Sequence, residues 1–173
     1  VGGSWGWGKY VLLGRSPARE TVRVEILQPA IDQYQKWSAD FEESIHLNFT
    51  ELLSLPRDKN PEIVVWPESS LTRVVEEDGE LPGASAWSKK FDAYQLIGAV
   101  SSHLGLLYNS AILVSPNGTT AGIYHKRELV PFGEFVPFPW LKAYIGILNQ
   151  LGGITAGDAR QPLLETPLAG DPP

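Results

Sequence analysis

The stretch IVVWPES, Ile63 to Ser69, is a run of four apolar residues followed at once by a proline and a carboxylate. Three of the four are β-branched, and a short unbroken apolar run of this kind reads as a strand buried on both faces. Pro67 cannot donate to a ladder, so the strand ends there and Glu68 stands at its C-terminal end. A carboxylate in that place is costly unless polar groups meet it. Desolvation is expected to raise its pKa towards that of a general base working near neutral pH. A lysine beside it could hold developing negative charge, and Lys126, at the end of another expected strand, is the candidate. The plain alternative is a solvated Glu68 at the start of a loop and a surface Lys126.

Working outward, TVRVEILQP (21–29) alternates as a strand with Val22, Val24 and Ile26 on one face, closed by Gln28 and Pro29. From Trp37 to Leu55 the apolar positions Trp37, Phe41, Ile45, Phe49, Leu52 and Leu55 recur at steps of three and four. Ser38 can cap that segment and Pro56 can stop it, which predicts an amphipathic helix covering a sheet. Thr72 to Gly83 is acidic with Gly and Pro and is expected to be a surface loop, followed by a helix over Ala84 to Ala93. YQLIGAVSS (94–102) returns to a strand. LYNSAILVSPNGTTAGIYHK (107–126) holds two strand runs around Pro116-Asn117-Gly118, a hairpin whose second arm delivers Tyr124, His125 and Lys126 to the next loop. LKAYIGILNQLGG (141–153) is expected to form a short helix, after which Gly and Pro dominate. This order predicts an α/β layered domain, strands central and helices outside.

The 173 residues, 43% hydrophobic and 20% charged, suit one compact domain. A formal charge of -6, with 14 Lys and Arg scattered singly, gives no field for a phosphate backbone, so nucleic acid is excluded as a partner. There is no cysteine, and His46, His103 and His125 lack ligand spacing, so no metal is expected. No apolar run approaches the roughly 18 residues of a membrane span. The opening VGGSWGWGKYVLLG places Trp5, Trp7 and Tyr10 beside glycines, a composition that suits a membrane-water boundary or a packed edge. Asn48-Phe49-Thr50 and Asn117-Gly118-Thr119 match the glycosylation tripeptide, but one falls in an expected helix and the other in a tight turn.

VVWPES and, more specifically, YHKRELVPFGEFVP resemble the nitrilase, or carbon-nitrogen hydrolase, superfamily. Within it they are most similar to the membrane-bound branch, the bacterial apolipoprotein N-acyltransferases. The resemblance runs from about Val22 to Gly157. It implies a nitrilase-like α-β-β-α sandwich, here incomplete because the C-terminal part of the domain is missing. Residues 1–20 would be a membrane-proximal segment and 21–173 the partial domain, on the periplasmic side of the bacterial inner membrane. It implies acyl transfer from a phospholipid, through a cysteine thioester, to the N-terminal amine of a diacylglyceryl-modified lipoprotein, with no cofactor.

Carried over by residue, the resemblance makes Glu68 the base of a Glu-Lys-Cys triad, Lys126 its lysine and Glu134 a second glutamate that assists it. Trp37 would be either an aromatic of the substrate-facing loop or a packing residue at the helix start. Phe132 and Phe135, with Phe138 and Trp140, would offer apolar surface to acyl chains or the bilayer edge, or fill the core beneath a proline-braced loop. The family's nucleophilic cysteine is absent from these residues. GITAGDARQPLLETPLAG (153–170) resembles the segment preceding the cysteine strand, which implies that the nucleophile follows and that the fragment alone is inactive, with a bare sheet edge. The competing readings are a soluble nitrilase-type amidase acting on a small carbon-nitrogen substrate, and a binding domain without catalysis.

Overall fold

The computed structural model of the chain describes residues 2–13, 21–31, 42–79, 81–131, 133–134 and 153–167. Its elements are α1 (Gly2–Leu13), β1 (Val24–Ile26), α2 (Glu42–Ser54), β2 (Ile63–Val65), β3 (Val75–Glu76), α3 (Pro82–Phe91), β4 (Tyr94–His103), β5 (Leu106–Val114) and β6 (Thr120–His125). The strands make one mixed sheet in the order β1-β2-β4-β5-β6, with the short β3 also on β4. β1, β2 and β4 run parallel, with Val64 opposite both Glu25 and Gln95. β4, β5 and β6 are antiparallel neighbours, with Ile97 opposite Ile112 and Ile112 opposite Ile123.

The pleat separates two faces. Gln95, Ile97 and Ala99 share one with Val114, Ile112 and Ser110, while Leu96, Gly98 and Val100 share the other with Leu113, Ala111 and Asn109. The first face carries the core. Ile45, Phe49 and Leu53, four residues apart on α2, and Leu81, Ala84 and Phe91 from in and around α3 bury themselves with Val64, Ile97 and Ile112. Phe49 stacks on Trp66 at 4.8 Å, and the indole N–H of Trp66 donates to Gln95 Oε1 at 2.8 Å, which satisfies a polar group that burial would otherwise leave costly.

Three expectations change here. The apolar line of α2 ends on Leu53 rather than Leu55, which lies beyond the last helical residue and is exposed. The acidic stretch after Thr72 is not all loop: Val75 is buried and pairs with Ser101, because β4 runs on past β2 and its free edge can accept a strand of two residues. The helix expected from Ala84 begins at Pro82, a residue suited to a first turn because its missing N–H has no partner to lose there. Ser38 and residues 141–152 lie outside the described residues.

Arg57, beyond the end of α2, ties helix to sheet. Its guanidinium donates to the carbonyls of Leu53 at 2.9 Å and Leu55 at 2.7 Å, and grips Glu25 of β1 with two bonds of 2.5 Å. The bond to Glu25 raises its pKa further. Replacing Arg57 by lysine is expected to lower stability by about 2 kcal/mol, since one ammonium cannot make the fork and cap the carbonyls together. A denaturant midpoint unchanged in Arg57→Lys would contradict this.

The turn between β4 and β5 is only Leu104-Gly105, both at positive φ (50° and 78°), the two-residue form that matches strand twist. The second hairpin turns at Asn117, as expected, and Asn117 Oδ1 accepts from Ser115 Oγ and from the Thr119 amide and hydroxyl. Those bonds give this tripeptide a turn-forming role. The segment 153–167 first joins the sheet, with Ile154 bridged in parallel to Leu107 of β5 and the Thr155 amide donating to the Leu107 carbonyl at 2.7 Å, and its later residues pack on the second face. Leu164 comes within 2.9 Å of where a Cβ on Gly122 would sit, and the Tyr94 hydroxyl donates to the carbonyl of Pro167 at 3.4 Å. On the outer edge of β6, Gln161 accepts from the His125 N–H at 2.8 Å and donates to its C=O at 2.9 Å.

Candidate functional site

Glu68 reaches the second face by an arch. The Trp66 amide still donates to Leu96 C=O at 2.8 Å as in the ladder, and then Pro67 and Glu68 lift over β4. Gly98 permits this, because a Cβ there would stand 2.4 Å from Pro67 O and 2.6 Å from Glu68 Cα. Ser69 takes a left-handed conformation, φ 48°, to bring the chain down again. Both the amide and the hydroxyl of Ser70 then donate to Gly98 C=O, at 2.7 and 2.8 Å. The apex of the arch is Glu68, with 64% of its side chain exposed.

Lys126 arrives on the same face from β6, two residues after Tyr124. Its amide donates to Asn109 C=O at 2.7 Å and its carbonyl accepts from Gly157 N–H at 2.9 Å, so the residue is held from both sides. Lys126 Nζ lies 3.2 Å from Glu68 Oε1 and 3.1 Å from Glu134. Glu134 is mostly buried, and its second oxygen accepts the amide of Val130 at 2.7 Å. The sequence reasoning missed Asn109. Its Nδ2 donates to Glu68 Oε1 at 2.5 Å and to Glu134 Oε1 at 2.6 Å. A polar residue midway along an apolar strand, LYNSAILV, was the signal available.

The electrostatics reverse one expectation. Glu68 does not have a raised pKa; it is lowered, first by the Asn109 bond, against which its partial desolvation works, and further by the Lys126 bond and charge. The arch exposes the carboxylate instead of burying it. For Glu134, burial pushes up, but the bonds from Asn109, Val130 and Lys126 outweigh it and the pKa falls. For Lys126, burial pulls down and the two carboxylates outweigh it, so the ammonium is stabilised. The site is therefore two carboxylates around one ammonium at neutral pH, facing an open cleft lined by Trp66, Leu96, Gly98, Ala111, Tyr124 and Arg127.

Behind the sheet, on the core side, Glu77 gathers His125 Nε2 at 3.1 Å, His103 Nδ1 at 3.4 Å and the Ser101 hydroxyl at 2.8 Å. His125 is thus anchored on one face while its neighbour Lys126 is presented on the other. Among the described residues no group of His, Asp and Glu is disposed to hold a metal ion. Trp37, Phe132 and Phe135 lie outside the described residues. α1 projects Trp5, Trp7, Tyr10, Leu12 and Leu13 outward, each about 70% exposed. No helix among the described residues is long and apolar enough to cross a membrane.

Comparison with known proteins adds three findings. Residues 24–169 match the model of the carbon-nitrogen hydrolase family. An apolipoprotein N-acyltransferase of Agrobacterium fabrum is 31% identical over 92% of this chain and 32% of its own length, and one from Methylococcus capsulatus is 30% identical over 86% and 30%. The chain thus spans about a third of the length of the curated relatives it matches. The crystal structure of an N-terminal amidase with an Asn-Glu-Ala peptide superposes with a TM-score of 0.51 at 24% identity, covering 63% of this chain and 29% of that one, a likeness of fold.

Proposed function

The chain belongs to the carbon-nitrogen hydrolase family, and from that premise we propose that it is part of an apolipoprotein N-acyltransferase, with Glu68 as general base, Lys126 as oxyanion support and Glu134 as the residue that orients them. The observation that carries the reading is the placement of Lys126 Nζ within 3.2 Å of both carboxylates on one open face. A cysteine supplied outside these residues gives its thiol proton to Glu68. The thiolate attacks a phospholipid ester carbonyl, and Lys126 stabilises the oxyanion. The departing lysophospholipid alkoxide recovers the proton from Glu68, leaving a thioester. The N-terminal amine of a lipoprotein then attacks, loses a proton to Glu68 and restores the thiol, which makes the reaction ping-pong.

The lowered pKa keeps the Glu68 carboxylate ionised, as a proton acceptor must be, and makes it a weaker base than the raised pKa expected from the sequence would have given. In this reading residues 1–20 are the membrane-proximal segment and 21–173 part of the catalytic domain, on the periplasmic side of the bacterial inner membrane. The exposed rings of α1 favour a bilayer boundary for that segment. Trp37, Phe132 and Phe135 would face the acyl substrates, and no cofactor takes part.

The test is Glu68→Gln in the full-length protein, with thioester formation from a defined phospholipid followed by mass spectrometry. Loss of the thioester by at least about a hundredfold is expected for removal of the base. A wild-type rate in that variant would refute the role.

A further inference from the structure

We infer that Gly157 is a positioning residue, and that residues 154–157 form a brace across the two ends of the 126–134 segment that sets Lys126 and Glu134 against each other. This rests on the roles just given to those two residues and adds to them a part of the chain that carries no reactive group.

The ladder between β5 and β6 ends at the Lys126 amide, which donates to Asn109 C=O at 2.7 Å. Two residues further along the same edge of β5, the place beside Leu107 is taken by the brace. Ile154 is bridged to Leu107, and the Thr155 amide donates to Leu107 C=O at 2.7 Å. The same short length of chain also holds both ends of the 126–134 segment. The Ile154 amide donates to Glu134 C=O at 3.1 Å and the Gly157 amide to Lys126 C=O at 2.9 Å. Among the described residues, the other backbone bond of Glu134 stays inside its own segment, its amide donating to Val130 C=O at 2.9 Å. The ammonium and the Glu134 carboxylate meet at 3.1 Å, and Asn109 also donates to that carboxylate, but these contacts have their length only where the two backbones are correctly spaced. A displaced backbone can be followed by such long side chains only through a change of rotamer.

Gly157 is what lets the brace seat. A Cβ there would stand 2.4 Å from His125 O and 2.7 Å from both His125 Cβ and Gln161 Nε2. The first two are a backbone atom and the root of a side chain that Glu77 pins from the core side at 3.1 Å, so neither can turn aside. Ordinary contact would require the brace to retreat by about 1 Å. It cannot retreat without drawing on both carbonyls it holds. Its donors are backbone amides, so it fixes the pair without adding a charge beside it.

The test uses full-length protein with 15N-labelled lysine and 13C-labelled glutamate side chains, the two signals being assigned by their absence in Lys126→Met and Glu134→Gln. Gly157→Ala is expected to shift both signals and to lower kcat for thioester formation by about 10- to 100-fold, with KM for the phospholipid within about threefold of wild type. Gly118→Ala, at the other end of β6, is the comparison. Its φ of 87° and a Cβ 2.6 Å from Lys89 Cε cost stability there, so the thermal midpoint should fall while both signals and kcat stay unchanged. Ile154→Pro removes the one amide bonded to Glu134 and is expected to shift the Glu134 signal more than that of Lys126. A folded Gly157→Ala with both signals in their wild-type positions would overturn the inference, as would rate losses in Gly157→Ala and Gly118→Ala that track their thermal midpoints. Where Gly157→Ala does not fold, an unmoved Glu134 signal in Ile154→Pro overturns it. Signals that shift in Gly157→Ala while the unmodified protein forms no thioester would leave the brace standing and refute the acyltransferase reading.

Discussion

Replacing Lys126 by methionine in the full-length protein is expected to reduce thioester formation by about 10²- to 10³-fold, the usual cost of losing one group that meets a developing oxyanion. Methionine keeps the length of the stem and removes the charge. Two carboxylates would then share Asn109 with no cation between them, and their mutual repulsion would favour protonation of one. Activity should therefore fall at neutral pH for two reasons, lost oxyanion support and a less available base. Arginine should not restore it, because a planar fork cannot replace a compact ammonium between Glu68 and Glu134. Rates measured by mass spectrometry across pH would check this, and activity within threefold of wild type in Lys126→Met would end the proposal for this residue.

The second large effect is expected at Gly98, which touches no substrate. Alanine there would set its Cβ 2.4 Å from Pro67 O and 2.6 Å from Glu68 Cα, both backbone atoms that cannot rotate aside. The arch must lift or the strand must bend, at about 1–3 kcal/mol. A displacement of Glu68 by about 1 Å is enough to cost on the order of a hundredfold in rate. Gly98→Ala should thus lose both stability and turnover. Gly83→Ala, in α3 with nothing within 4 Å of the new Cβ, should be neutral or slightly stabilising and serves as the control. Equal thermal midpoints for the two variants would show that the arch is not closely seated on β4.

The parts of this fold that could be read from the sequence are those with strong local periodicity or punctuation. IVVW, the Ile45-Phe49 spacing of α2 and the Asn117-Gly118 hairpin each announce themselves within a few residues. β3 does not, because Val75 and Glu76 become a strand only through the surplus length of β4. Leu104 gives no turn signal, since a leucine rarely adopts positive φ. At the site, the placement of Glu68 and Lys126 at strand ends was legible, but the environment of Glu68 was not. A proline after a buried strand does not reveal that the chain will climb over a glycine thirty residues downstream. Asn109 was hidden for the same reason: its two partners are 41 and 25 residues away in sequence.

The side-chain amide that borders β6 makes His125 a reporter. Its N–H is bonded to Gln161, whereas the next N–H, of Lys126, is bonded within the sheet to Asn109. Deuterium uptake at these two adjacent amides should therefore follow different openings: His125 should exchange whenever the 157–167 segment lifts, and Lys126 only when the sheet itself parts. The protection of the His125 amide relative to its intrinsic rate gives the free energy of seating that segment, measured one residue away from the ammonium it helps to hold, and the ratio to Lys126 gives how much more it costs to part the sheet.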